Sequence, residues 1–374
     1  MITRHIHIAV LDTDVPVPTV YAARGLYSSQ FRILLQSAAK RLNQSLNNKN
    51  SSAPQIRIHT SAYDVVGGSY PALGMLRKTP LHEEQHADID EIEDDEILRP
   101  IDAILITGSG ASVYYQGDQY TWIANLQDFI RRVWSRYPLV KFFGSCFGHQ
   151  VIAQALLANS PQSEGLSKGE PLVRVEACPM GYEIGIEPIE ISREFAATGL
   201  GRALAENLQR REGGKLHIQL VHGDRVIGFY PSTANAPSAL TALPQPWLNV
   251  GSTPLSPIQG LYYPDRILTY QGHFEFDPFV NSETVVEFAR RGSWDAQMVS
   301  ESLRKVNACG LEDDDSELAA EIVVQFLADV DIEKQSVNGA NVTMKIDYPA
   351  KSEMVRSVVA NGLATPPDEM SLQI

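Results

Sequence analysis

Residues 139–157 read LVKFFGSCFGHQVIAQALL, and the fold is read outward from that stretch. Residues 139–143 form a short apolar run with two phenylalanines, the length and composition of a buried strand. The run leads straight into Gly144-Ser145-Cys146-Phe147-Gly148, and residues 151–157 then read as a helix. A glycine two places either side of a nucleophile, at a strand-to-helix turn, is the layout of a nucleophile elbow, here with cysteine in the serine place. A residue on so sharp a turn takes a strained backbone. Side chains two places away would strike the neighbouring strand and helix, and glycine removes both collisions. The helix that follows aims its N-terminus, a partial positive charge, at the sulfur and favours the thiolate. The same turn offers the backbone N–H of Phe147 to a developing oxyanion. A lone cysteine is more often a small buried core residue than a nucleophile. Strand, Gly-x-Cys-x-Gly and helix together reverse that preference, provided the chain also supplies a base.

The chain has 374 residues, enough for one large domain or two with a substantial core. Hydrophobic residues make up 44% and charged residues 20%, an ordinary balance for a globular protein in water. A formal net charge of −14 argues against nucleic acid or an anionic membrane as the main partner. No apolar run has the length of a membrane span, and MITRHIHIAVLDTD at the start alternates like a strand and lacks the apolar centre of a signal peptide. Cys146, Cys178 and Cys309 are well separated, with no CxxC, so a reducing, cytoplasmic compartment and at least one free thiol are expected.

Taken in order, residues 5–11 read as the first strand, broken by Asp12-Thr13-Asp14 and by Pro16 and Pro18, which impose a loop. Residues 27–46 place Phe31, Leu34, Leu35, Ala38 and Leu42 at helical spacing. A polar connector leads to a second strand at 55–60. Residues 81–96 are acidic (LHEEQHADIDEIEDDE), a pattern that fits a solvated loop or helix face better than a metal site at His82 and His86. Residues 101–107 (IDAILIT) read as a buried strand ending in Gly108-Ser109-Gly110. A glycine turn at the carboxyl end of a parallel strand is where open α/β sheets place ligand sites. Residues 120–136 form an amphipathic helix stopped by Pro138. This alternation predicts an open, mostly parallel sheet with helices on both faces. Shorter strands are expected at 172–176, 183–191, 217–222 and 226–230. A Pro- and Ser-rich region at 236–257 then precedes a strand at 267–271. Helices are expected at 282–306 and 316–330.

Of the nine histidines, His273 stands out. It follows the strand-like ILTYQG and opens His273-Phe274-Glu275. Residues two apart on an extended backbone face the same side, so Glu275 can hold the imidazole while the imidazole activates the thiol. His-x-Glu alone is a weak motif. Downstream of an elbow cysteine it completes a Cys146-His273-Glu275 set.

On these residues the chain resembles the class I, or triad, glutamine amidotransferase family, whose elbow reads G-x-C-x-G-x-Q and whose later pair reads H-P-E. Three further stretches agree: ITGS at 106–109 with the oxyanion strand and turn, GYEIG at 181–185 with a Gly-x-Glu-x-Gly hairpin, and VHGD at 221–224 with a substrate loop. The resemblance spans about residues 5–291 and is nearest in pattern to stand-alone fungal amidotransferase-like proteins and plant γ-glutamyl peptidases. It implies a flavodoxin-like sheet with an antiparallel substrate-side extension. It implies that Cys146 attacks the γ-carboxamide of glutamine or a γ-glutamyl compound, that His273 moves the proton, and that Glu275 orients His273. Phe147, Gly108 and Ser109 would supply the oxyanion hole, and Gln150, Val221, Gly223 and Asp224 would bind the amino-acid end. No metal and no cofactor is implied. Two departures stand out. Phe274 replaces the family's proline, from which a less rigid His/Glu turn is expected. Gly108-Ser109-Gly110 replaces Gly-Gly-Pro, which leaves open which N–H completes the hole.

The expected organisation is an amidotransferase-like domain over 1–291 with an acidic insert at about 78–99, a helical extension over 292–330 and a flexible polar tail over 331–374. The segment after 291 is shorter than the ~100–150 residues of a typical domain, and no nucleotide-binding fingerprint is present. An ammonia-accepting synthetase, if there is one, would be a separate protein. Three functions are therefore carried forward: a hydrolase of glutamine or a γ-glutamyl amide, a γ-glutamyl peptidase acting on glutathione-type conjugates, and a non-catalytic regulatory or binding protein on the same fold.

Overall fold

Alternation along the first strand, β1 (Thr3–Asp12), divides its residues between two cores: Ile6, Ile8 and Val10 face one, Ala9 and Leu11 the other. The computed structural model describes residues 3–49, 54–80, 99–158, 171–209, 214–230, 240–308 and 314–329. After β1 come α1 (Pro18–Arg24), α2 (Tyr27–Lys49), β2 (Gln55–Asp64), β3 (Ala103–Ile106), α3 (Thr121–Arg136), β4 (Lys141–Ser145) and α4 (Phe147–Leu156). The chain continues with β5 (Leu172–Ala177), β6 (Glu183–Ile186), β7 (Glu190–Ile191), α5 (Arg193–Ala196), α6 (Gly199–Leu208), β8 (Gln219–His222) and β9 (Asp224–Phe229). It ends with β10 (Leu248–Asn249), β11 (Gly251–Ser252), β12 (Leu261–Tyr263), β13 (Ile267–Tyr270), α7 (Pro278–Gly292), α8 (Ala296–Val306) and α9 (Ser316–Ala328).

The main sheet has the order β10-β12-β13-β4-β3-β1-β2. Strands β13, β4, β3, β1 and β2 are parallel, and β12 and β10 extend the edge antiparallel. The same two-sided division recurs across it. Ala103, Leu105, Phe143, Leu268 and Tyr270 face the core shared with α2, α6, α7 and α9. Ile104, Ile106, Phe142 and Ile267 face the core shared with α3, α4, β5 and β9. Strands buried on both faces are what a doubly covered parallel sheet requires. Three two-stranded antiparallel sheets, β5-β9, β6-β8 and β7-β11, lie outside it.

Several boundaries differ from the sequence expectation. Pro18 does not extend a loop but opens α1, because a first-turn residue needs no N–H and the ring presets φ. The helix expected over 282–306 is two helices: Ser293 at φ 52 ends α7, and the Asp295 carboxylate accepts the Met298 N–H to cap α8. Helix α6, absent from the expectation, starts at a Thr198 cap. Its Gly201 is there because a Cβ would sit 1.9 Å from the Phe195 carbonyl oxygen. Strands β10 and β11 lie in the 236–257 region expected to be turns, and β12 lies between that region and the last expected strand, where no element was expected.

Helices α8 and α9, in the segment read as a helical extension, pack on β6 and α7 and on α2 and α6 respectively. Lys141, buried in β4, donates to the Phe326 carbonyl and pairs with Asp329 at the end of α9. The acidic segment and the polar tail lie outside the described residues, as do His82, His86 and Cys309. Arg99, which follows the acidic segment, lies toward the amino end of β3, its carbonyl oxygen 2.8 Å from His7 Nδ1. No helix among the described residues is long and apolar enough to cross a membrane.

Candidate active site

Four adjacent parallel strands deliver the site, each from its carboxyl end. Gln271 and His273 follow β13, Cys146 follows β4, Gly108 follows β3, and Thr13 and Asp14 follow β1. This is the crevice outside the strand ends where open α/β sheets hold ligands.

Cys146 has φ 50 and ψ −105, in the left-handed half of backbone space that a side chain disfavours. The two flanking glycines make that turn sterically feasible. A Cβ on Gly144 would lie 2.5 Å from the Gly148 carbonyl carbon, and one on Gly148 would lie 2.2 Å from the Ile106 carbonyl oxygen. Helix α4 begins immediately, at Phe147 rather than at the expected residue 151. The Phe147 N–H, first in the helix, has no intrahelical acceptor.

The imidazole of His273 is buried, and its Nδ1 lies 2.8 Å from Glu275 Oε1. A Cβ built on Gly108 would stand 2.9 Å from His273 Cε1 and 3.6 Å from Cys146 Cβ, so ring and thiol close on the same point from two sides. Burial alone would lower the His273 pKa. The negative charges of Glu275 and of Cys146, with hydrogen bonds to both, outweigh it and raise the pKa from 6.5 to about 10. At neutral pH the ring therefore holds its proton.

The side chains around this pair fix its geometry. Ser145 Oγ donates to Glu275 Oε1 at 3.0 Å, and Phe276 stacks on the imidazole with centroids 4.0 Å apart. Tyr27 of α2 stacks on Phe276 in turn, at 5.9 Å. Phe274 does not leave the turn loose, contrary to expectation. It is 1% exposed and meets Phe31, Phe143 and Tyr270 at centroid distances of 5.6, 5.5 and 6.0 Å. Core packing holds the turn where a proline ring would have held it through φ. The His273 N–H adds a bond to the Gln219 carbonyl at 2.7 Å. Phe274→Ala is expected to cost about 3–5 kcal/mol of stability, measured by denaturant unfolding, because the cluster cannot refill so large a void.

The Gly108 turn is pinned from β1. Thr13 Oγ1 contacts the Gly108 carbonyl oxygen at 2.9 Å, and Asp14 Oδ2 accepts from the Gly110 N–H at 2.9 Å and from Ser109 Oγ at 3.3 Å. The Ser109 hydroxyl is thus engaged outside the site. Strand β3 lies between β1 and β4. A trans peptide whose carbonyl turns toward β1 turns its N–H, that of Ser109, to the opposite side.

Gln150 Nε2 donates to the Asp224 carbonyl (3.2 Å) and to Gln271 Oε1 (3.1 Å). Both amide protons are used, and Oε1 is left to accept. Val221 pairs with Ile184 in the β6-β8 ladder, and its side chain joins the core. The Gly223 carbonyl accepts from the Cys178 N–H, and the Asp224 carboxylate accepts from Tyr114 Oη at 2.8 Å. Gln271, Ser145 and Phe276 have no part in the expectation from sequence. Gln271 had a signal, since it stands two residues before His273 on the same side of an extended chain; Ser145 and Phe276 had none.

A second buried pair braces the substrate-side hairpins. His222 Nδ1 donates to the Asp224 carbonyl (2.9 Å), while its Nε2 lies 3.0 Å from Glu183 Oε2 at an angle poor for a hydrogen bond. Burial works to raise the Glu183 pKa, but His222, Thr253 and Gln259 outweigh it, and the group sits below its ordinary 4.5. A carboxyl depressed by folding contributes stability above pH 4.5 that is lost as pH falls through the folded value. Glu183→Gln is accordingly expected to flatten the acid side of the stability curve below about pH 4.5, read by urea unfolding across pH 3–7.

Over 322 residues the chain is 26% identical to a glutamine amidotransferase-like protein of Schizosaccharomyces pombe, and the match takes in 86% of this chain and 98% of that one. The chain is similar to that protein over nearly the whole length of both. A Saccharomyces cerevisiae protein named a glutamine amidotransferase is 28% identical over 192 residues, 50% of this chain and 57% of its own length. Both yeast names are provisional. No protein-family model matches the chain. Among solved structures, a glutamine amidotransferase from Thermotoga maritima superposes with a TM-score of 0.45 at 12% identity, covering 87% of this chain and 99% of that one. One from Methylobacillus flagellatus gives 0.43 at 10%, covering 92% and 99%. In this chain the elbow, the Gly108 turn and the His273 segment occupy neighbouring strand ends.

Proposed function

We propose that this chain is a thiol hydrolase that cleaves the γ-amide of glutamine or of a γ-glutamyl compound through a glutamyl thioester. The observation that carries the reading is a cysteine held at positive φ beside a buried imidazole whose other nitrogen is bonded to a carboxylate. Nothing structural requires that combination.

In the reaction, the Cys146 thiolate attacks the amide carbon while the proton rests on His273. The carbonyl oxygen becomes an oxyanion facing the Phe147 and Ser109 N–H groups at the N-terminus of α4. His273 gives its proton to the departing nitrogen, and ammonia or an amine leaves. His273, held by Glu275, then takes a proton from water, which attacks the thioester and releases glutamate and the thiolate. Gln150 Oε1, its amide protons already engaged, accepts from the α-ammonium of the substrate. An acceptor of the ammonia would be a separate synthetase. The γ-glutamyl peptidase reading uses the same residues and differs in the leaving amine.

The test is incubation with glutamine, with ammonia release followed, alongside intact-mass analysis after diazo-oxo-norleucine. One adduct that maps to Cys146, with ammonia formed, is the expected result. Ammonia absent while a glutathione conjugate loses glutamate would transfer the reading to the peptidase. No adduct and no product with either substrate would overturn it.

A further inference from the structure

Gln271 is fully buried, and its side-chain Nε2 lies 3.6 Å from Cys146 Sγ. Its Oε1 accepts from Gln150 Nε2 at 3.1 Å, and its backbone N–H donates to the Gln259 carbonyl at 2.8 Å. The amide is thus fixed at both ends. With its oxygen committed to a donor, the NH2 group is the part that meets the sulfur. Cys146, His273 and Glu275 account for proton transfer and for the orientation of His273, and among them only the hydrogen bond from His273 bears on where the sulfur points.

The geometry points to Gln271 as a positioning residue for the nucleophile: its amide donates to the Cys146 thiolate and holds Sγ in one orientation, with Gln150 locking the amide in turn. A cysteine side chain has three staggered positions, and a rigid donor selects one of them. A hydrogen bond to an anion is about twice as strong as one to a neutral acceptor. The contact therefore stabilises the sulfur as a thiolate more than as a thioester, and so favours its departure when water attacks the acyl intermediate. Gln271 and His273 meet the same sulfur because residues two apart after β13 share a side. Gln150 then has two duties: one face of its amide secures Gln271 and the other is open to substrate.

The inference rests on Cys146 being the nucleophile, and its test needs no substrate, so failure with glutamine and failure here are separate results. The titratable groups that interact with the sulfur are His273 after β13 and Tyr27 from α2, with Glu275 bonded to His273 and Asp12 and Asp14 near Tyr27. All of them stay in place in Gln271→Met, which keeps the length of the side chain and removes the donor. The full chain is titrated by the ultraviolet absorbance of its thiolate, with Cys146→Ala subtracted, and capture of Cys146 by iodoacetamide at neutral pH is followed by peptide mass spectrometry. Gln271→Met is expected to raise the titration midpoint by about one pH unit and to slow capture about fivefold to tenfold. Gln150→Met, which unlocks the amide without removing it, is expected to shift both in the same direction by less. A folded Gln271→Met protein with both readings unchanged overturns the inference. Should that variant fail to fold, Gln150→Met decides alone: a shift supports the proposal, and an unchanged midpoint overturns it.

Discussion

Cys146→Ala abolishes turnover of glutamine, with a loss of more than about 10⁴-fold in kcat/KM, and abolishes labelling by the glutamine-mimicking electrophile. That is the expected result if the sulfur forms the covalent bond, because the surviving groups can then only bind and polarise the substrate. The fold should survive the change. Alanine inherits the strained φ of 50 from cysteine, and the lost atom is a single sulfur at a position 6% exposed. A second reading comes with it. The sulfur is one of the two groups that raise the His273 pKa, so in Cys146→Ala the imidazole should titrate below its present value of about 10. Glu275 should still keep it above the ordinary 6.5, a difference visible in the histidine ring resonances by NMR. More than a tenth of the parent activity left in Cys146→Ala would remove Cys146 from the chemistry.

Gly148→Ala is expected to have the largest effect on the scaffold, more than about 3 kcal/mol by denaturant unfolding, at the top of the usual range for overpacking. The added carbon would lie 2.2 Å from the Ile106 carbonyl oxygen and 2.9 Å from its carbonyl carbon. Backbone atoms cannot rotate away as a side chain would. Strand β3 cannot retreat either, being paired on both sides, to β1 and to β4. The strain must separate α4 from β3, which moves the Phe147 N–H away from the Ser109 N–H and should lower kcat along with stability. Gly110→Ala is the control. Its nearest contacts would be ordinary ones at 3.6 Å, to Asp14 Oδ2, and it should change stability little. Equal melting temperatures for the two variants would show that the elbow does not need its second glycine.

Local pattern carried much of the architecture. A buried strand, a glycine-flanked cysteine and a helix in succession admit few other readings, since only a tight strand-to-helix turn makes use of both glycines at once. The alternation of apolar runs with amphipathic helices led in the same way to a doubly covered parallel sheet. Boundaries were less legible, because a strand ends where its partners end. Strand β4 continues through Gly144 and Ser145, residues of no strand propensity, because Ile106 pairs with Gly144 and Tyr270 with Ser145 across the ladder. Helix α6 was hidden by two glycines, one of which answers to a contact with Phe195 six residues earlier.

From the linear order of residues alone came the fold class, the three side chains proposed to react and their spacing, because each is encoded by short-range stereochemistry: a strained turn, a helix start, two groups on one side of an extended segment. Long-range packing decided everything that depends on which strand lies next to which. The order β13-β4-β3-β1 brought residues 14, 108, 146 and 273 to one crevice and turned the Gly108 carbonyl toward Thr13 of the β1 end. It also replaced a proline's rigidity by an aromatic cluster around Phe274 and set Gln271 against Cys146. Contacts such as Phe31 with Phe274 and Cys146 with Gln271 join residues more than a hundred positions apart, and no periodicity along the chain records them.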